Sequence, residues 1–124
     1  MVVDQISAAE VDRLFQALAD ATRRDIVARV LEAEQSVSSL AERYEMSFAA
    51  VQKHVAVLER AELVRKRRRG REQLVRGDMA SLRRASRLLD SYEELWRHRV
   101  DLIADVLAED EARPPGNPTK GSAR

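Results

Sequence analysis

The chain contains no cysteine, and that absence removes disulfides, thiolate zinc sites, iron–sulfur ligation and cysteine nucleophiles together. Aromatic residues make up only 4% of the 124 residues, so a core must come from Leu, Val, Ile and Ala, a composition suited to helices packed through aliphatic stripes. Long uncharged apolar runs are missing too: none approaches the ~20 residues that span a bilayer, and the N-terminal region lacks the apolar core of a signal peptide. A soluble, cytoplasmic protein with no membrane partner is expected. With two histidines far apart, no glycine-rich phosphate loop and no nucleophile elbow, no catalytic residue is expected and the chain reads as a non-enzyme.

An excess of one charge is also absent from the chain as a whole, because 22 Lys and Arg stand against 21 Asp and Glu, for a net charge of +1. Position changes that reading. Residues 1–62 carry 7 basic and 11 acidic side chains, residues 63–77 carry 7 and 1, and residues 78–124 carry 8 and 9. One fifteen-residue segment therefore holds all the positive excess, which is the local polarity expected of a nucleic-acid-binding element.

Val11, Leu14, Phe15 and Leu18 recur at i, i+3, i+4 and i+7, predicting an amphipathic helix over residues 7–19. Asp20 or Thr22 caps a second helix, with Thr22 and Asp25 spaced as in a capping box and Ile26, Val27, Val30 and Leu31 as its apolar stripe, ending near residue 34. Residues 35–38 read as a connector. Ser38 is the expected N-cap of a two-turn helix over 38–45 that buries Leu40, Ala41 and Tyr44, and Ser47 that of a helix over 47–61 that buries Val51, Val55 and Leu58. Phe48 and His54 flank this last stripe. The opposite face is Ala49, Gln52, Lys53, Ala56 and Arg60, short-chained at its start and cationic further on. Residues 63–67 and 73–76 are extended candidates joined by Arg68-Arg69-Gly70-Arg71, a basic hairpin with glycine available for positive φ.

From Met79 to Glu111 neither glycine nor proline interrupts the chain, which allows a helix roughly 50 Å long at ~1.5 Å per residue. Leu82, Ala85, Leu89, Tyr92, Trp96, Ile103 and Val106 repeat in steps of three and four, with Arg99 in one slot of the series; Leu88, Leu95 and Leu102 widen one flank and Val100 and Leu107 the other. A face this broad exceeds what the other helices of one protomer can cover, so part of it is expected against a second copy. All 3 prolines fall beyond residue 113, and residues 111–124 are expected to be a disordered tail behind a single domain over 1–110.

Two short helices followed by a basic hairpin is the order of a winged helix-turn-helix, whose second helix enters the major groove. The fold class is thus mainly α with a small β-hairpin and a long C-terminal dimerisation helix. Gln52 suits adenine and Lys53 suits guanine or phosphate, so double-stranded DNA is the expected partner. His54 reads equally as a half-buried helix residue and as a phosphate contact.

The run Leu14-Phe15-Gln16-Ala17-Leu18-Ala19-Asp20-Ala21-Thr22-Arg23-Arg24, the segment from Ser47 to Leu58 with Gln52-Lys53-His54-Val55, and Leu63-Val64 with the Arg-Gly-Arg wing together resemble the ArsR-type transcriptional regulators over about residues 10–105. The resemblance implies a homodimeric repressor on an imperfect palindrome, assembled through its first and last helices. It places Ser47, Ala49, Gln52, Lys53 and His54 at the DNA, with Arg68, Arg69 and Arg71 at the wing tip; Arg60 and Arg67 extend the same basic surface. Leu14, Leu82, Leu89, Tyr92, Trp96, Ile103 and Val106 become the dimerisation set. Two residues depart from the family pattern: Ala21 stands where proline commonly follows Asp20, and Glu62 where glycine commonly precedes the wing. A positive φ at Glu62 costs about 1 kcal/mol.

The family's founding members sense metals, but Ser36-Val37-Ser38 stands at the position of their Cys-Val-Cys signature, and hydroxyls do not replace thiolates for soft metals. Neither cofactor nor metal is therefore expected. Three alternatives stay open. Glu94, His98, Asp101 and Asp105 align on one helix face and could ligate zinc or nickel; a small-molecule effector could occupy the dimer seam near Tyr92 and Trp96; and the long helix could serve a non-enzymatic interaction adaptor that pairs with a different chain.

Overall fold

In the computed structural model, which describes residues 7–112, Ser7 opens helix α1 (Ala8–Leu18) with a complete capping box. Its hydroxyl accepts from the Glu10 N–H at 3.1 Å while the Glu10 carboxylate accepts from the Ser7 N–H at 2.9 Å. Asp20, rather than Thr22, caps helix α2 (Ala21–Glu32) by accepting from the Arg23 N–H. Asp25 is consequently free for a tertiary role. Its carboxylate receives the Tyr44 hydroxyl at 2.6 Å and the Arg29 guanidinium at 2.8 Å, which ties the chain after α3 (Val37–Ala41) back to α2.

Two expected features of this region change. The predicted 38–45 helix is the single short α3, capped by Ser36, whose hydroxyl accepts from the Ser39 N–H at 3.0 Å; residues beyond Ala41 turn instead of continuing the helix. The connector over 35–38 contains strand β1 (Gln35–Ser36). Two residues carry no periodicity, so only the tertiary neighbour reveals the strand: Gln35 pairs with Val75 and Ser36 with Leu74.

Helix α4 (Phe48–Arg60) starts at the N-cap Ser47 and ends in a Schellman motif. The Glu62 N–H donates to the Glu59 carbonyl at 2.9 Å and the Leu63 N–H to the Leu58 carbonyl at 3.0 Å, while Leu58 and Leu63 join the core. Glu62 takes φ 61°, the only positive φ of a non-glycine residue among those described. Strands β2 (Val64–Arg69) and β3 (Glu72–Gly77) follow as an antiparallel hairpin, each longer than expected, and β1 completes a sheet of order β1-β3-β2. Gly70 takes φ +63° at the hairpin tip, where Arg69 pairs with Glu72.

The core gathers the stripes of α1 to α4 and the inner face of the sheet: Leu14, Ile26, Leu40, Val51, Val55, Leu58, Leu63, Val64 and Val75 are all fully buried. Leu14 therefore leaves the dimerisation set. At 1% exposure it belongs to the protomer's own core, because position i+3 of the α1 stripe turns it inward.

The chain divides into two units, residues 1–87 and the remainder from Leu88. Helix α5 (Met79–Ala112) begins in the first, where Ala85 is buried and Leu82 half-buried against the core. In the second unit Leu89, Tyr92, Leu95, Trp96, Leu102, Ile103, Val106 and Leu107 are each more than half exposed. Arg97 and Glu93 form an i,i+4 ion pair elsewhere on this helix. The expected tail from 111 onward is helical for its first two residues and otherwise lies outside the described residues. No described helix is long and apolar enough to cross a membrane.

Candidate nucleic-acid interface

Burial of Val51, Val55 and Leu58 decides which way α4 faces, and it turns Ala49, Gln52, Lys53 and Arg60 outward. Ser47 is exposed and engaged as the N-cap, its hydroxyl accepting from the Ala50 N–H at 3.1 Å. The first turn carries no acidic residue, so the positive end of the helix dipole is uncompensated by any side chain there. Short side chains at Ala49 and Ala56 leave room for close approach, and Gln52 and Lys53 reach beyond them.

His54 is half-buried. Its Nδ1 lies 3.3 Å from Nη1 of Arg23, a residue the sequence patterns do not single out for this surface. Arg23 also donates through Nε to the Ala17 carbonyl at 2.8 Å and through Nη2 to the Gln16 carbonyl at 3.0 Å. Both are carbonyls of the last turn of α1, where helix geometry leaves acceptors to be satisfied; that of Gln16 also accepts from the Ala19 N–H at 3.2 Å. One guanidinium thus joins the end of α1, the start of α2 and the exposed helix α4. The Asp20 carboxyl is held below its ordinary range chiefly by the hydrogen bond from the Arg23 N–H.

The wing divides into a braced base and a free tip. Arg65 bonds Asp78 at 2.6 Å, Lys66 meets Glu59 at 3.2 Å, and Arg67 donates to both oxygens of Glu34 at 2.9 and 3.0 Å. These partners leave their mark on the carboxylates. Glu34 is held below the usual range by its bond from Arg67, and Asp78 by the Ala80 N–H first and Arg65 second. Arg67, expected to extend the basic surface, is therefore committed to Glu34. Arg68, Arg69 and Arg71 are exposed and have no carboxylate partner among the described residues, so the positive excess of residues 63–77 is concentrated at the tip.

Glu94, His98, Asp101 and Asp105 lie on exposed α5, and among the described residues no three His, Cys, Asp or Glu side chains converge as a metal site would require. Ser36, at the first position corresponding to the cysteine signature, is engaged as the cap of α3.

Known proteins share this geometry. Residues 18–67 match a family described as a helix-turn-helix domain. An HTH-type transcriptional regulator of Mycobacterium tuberculosis, Rv2034, is 38% identical over 96 residues, covering 77% of this chain and 87% of that protein. Among solved structures, an ArsR-like transcriptional regulator from Rhodococcus sp. RHA1 is 35% identical with a TM-score of 0.73, over 82% of this chain and 93% of its own. The ArsR family transcriptional regulator RHA00566 is 28% identical with a TM-score of 0.71, over 74% and 95% respectively.

Proposed function

Because this chain belongs to the ArsR family of winged helix-turn-helix transcriptional regulators and is itself a DNA-binding regulator, we propose that it acts in the cytoplasm as a non-enzymatic, homodimeric repressor on an inverted-repeat operator. The observation that carries the reading is the pairing of a short-chained, acid-free exposed face at the start of α4 with three wing-tip arginines that form no salt bridge among the described residues. The face suits base edges in the major groove, and the arginines suit phosphates beyond it.

Dimerisation is supported by the second unit of the chain, where a run of large apolar residues from Leu89 to Leu107 is exposed. Surface of that extent is stable in water when another apolar surface covers it. A second copy would provide one and would present two α4 helices to DNA, with half-sites about 34 Å apart or a little more. Selection of bound fragments from a random duplex pool, together with size measurement of the purified protein, tests both parts. Enrichment of an inverted repeat by a stable dimer is the expected result; a monomer that pairs only with a different chain would favour an interaction adaptor instead.

A further inference from the structure

Phe48 is the first residue of α4 and is 47% exposed, whereas Val51, Val55 and Leu58 of the same helix are buried to 1% or less and Val57 is half-buried against the core. The described residues of the protomer leave nearly half of it uncovered. Its surroundings are the exposed face proposed for DNA. Gln52 follows at i+4 on the same side of the helix, and Ala49 and Lys53 form the adjoining i,i+4 pair, so these residues make one patch two turns deep. The patch contains no negative charge, because the one carboxylate of α4, Glu59, lies in the last turn and is bonded to Lys66.

Exposed hydrocarbon gains free energy when something apolar covers it, and the DNA major groove offers one apolar group, the 5-methyl of thymine. We propose that Phe48 reads that methyl, so that each half-site contains an A·T pair, or two adjacent ones, recognised jointly by Phe48 and Gln52. The chemistry of the pair fits both residues at once. Thymine presents its methyl to the aromatic ring, while adenine presents N7 as acceptor and its amino group as donor to the Gln52 amide. The N-terminal turns of a recognition helix are the part that reaches base edges, which is where both residues stand. This inference rests on the reading of α4 as the major-groove helix.

The test uses the full-length protein and duplexes selected from a random pool by that protein. Each thymine of a selected duplex is replaced in turn by deoxyuridine, which removes the methyl and leaves pairing intact. At one or two positions per half-site the wild-type protein should bind about four-fold more weakly, the effect of one buried methyl. Phe48→Ala should bind the unmodified duplex about ten-fold more weakly and lose the discrimination at those same positions, whereas Phe48→Leu should keep part of it. Because a little over half of Phe48 is covered by its own protomer, Phe48→Ala should lower the melting temperature by roughly 4–8 °C, and binding is compared well below both transitions. Indifference of the wild type to every replacement overturns the proposal, as does a loss undiminished in Phe48→Ala, which would assign the methyl to another residue. A protein that selects no DNA overturns this inference and the operator reading together; one that selects DNA but ignores the methyl overturns this inference alone.

Discussion

Nη1 of Arg23 stands 3.3 Å from Nδ1 of His54, so the opening turn of α2 holds the ring of a residue on the helix proposed to face DNA. A guanidinium has donors and no acceptor, which obliges Nδ1 to accept and leaves the ring proton on Nε2. Nitrogen-detected NMR of the histidines should therefore show the Nε2–H tautomer for His54, with Nε2 presented as a donor. Arg23→Ala should release this preference and lower the unfolding free energy by about 2 kcal/mol in urea titration, since two carbonyls of α1 are deprived of a charged donor as well. Retention of the tautomer in that variant would show that another group sets it.

The division of the wing predicts two kinds of arginine variant. Arg68→Gln with Arg69→Gln should weaken binding to operator and random DNA alike and reduce the salt slope by about 0.9 for each phosphate left without its arginine. Arg67→Gln should leave that slope nearly unchanged and act on the brace to Glu34 instead. Binding titrations across a salt series separate the two.

Lys53→Ala should weaken operator binding more than random binding if the ammonium reaches a base edge, and equally if it reaches phosphate alone. The ratio of the two affinities at a fixed salt concentration reads the difference.

Two backbone positions make opposite predictions. Glu62 occupies the left-handed C′ position of a Schellman motif, so Glu62→Gly should stabilise the fold by about 1 kcal/mol. Gly77 lies so close to α2 that an added Cβ would stand within 3.1 Å of the Leu31 Cα and still closer to its side chain. Gly77→Ala should therefore destabilise the fold, by about 1–3 kcal/mol if the cost is that of overpacking. Thermal denaturation of both variants checks the signs.

Alkali should act through Tyr44. Burial, with its hydrogen bond to Asp25 second, pushes the Tyr44 hydroxyl up to about 12, above the ordinary value of 10. A raised folded value means the contribution is fully present below pH 10 and is lost as pH rises from 10 toward 12. Tyr44→Phe should remove that part of the alkaline decline in melting temperature. Acid acts in the other direction through Asp25, held low first by Tyr44 and then by Arg29; its contribution is present above the ordinary carboxylate range and lost as pH falls below about 4.

Residue order alone determined the helices whose apolar stripes repeat over several turns, the basic hairpin and its glycine tip, and the outward face of α4. Each is a local pattern: periodicity selects the buried side, and whatever is not buried faces out. The positive φ at Glu62 was hinted at only by the family resemblance, which commonly has glycine there; the Schellman end of α4 is what uses it. Tertiary structure alone decided the rest. Strand β1 exists only because β3 passes beside it, and Leu14 is core because the stripes of α2 and α4 converge on it. Arg67 is a brace because a glutamate thirty-three positions earlier meets it, while Arg23 and His54 are thirty-one positions apart in the chain and in contact in the fold. Charge can be counted along a sequence, but which charges are spent on each other depends on distances of about 3 Å that only the folded chain sets.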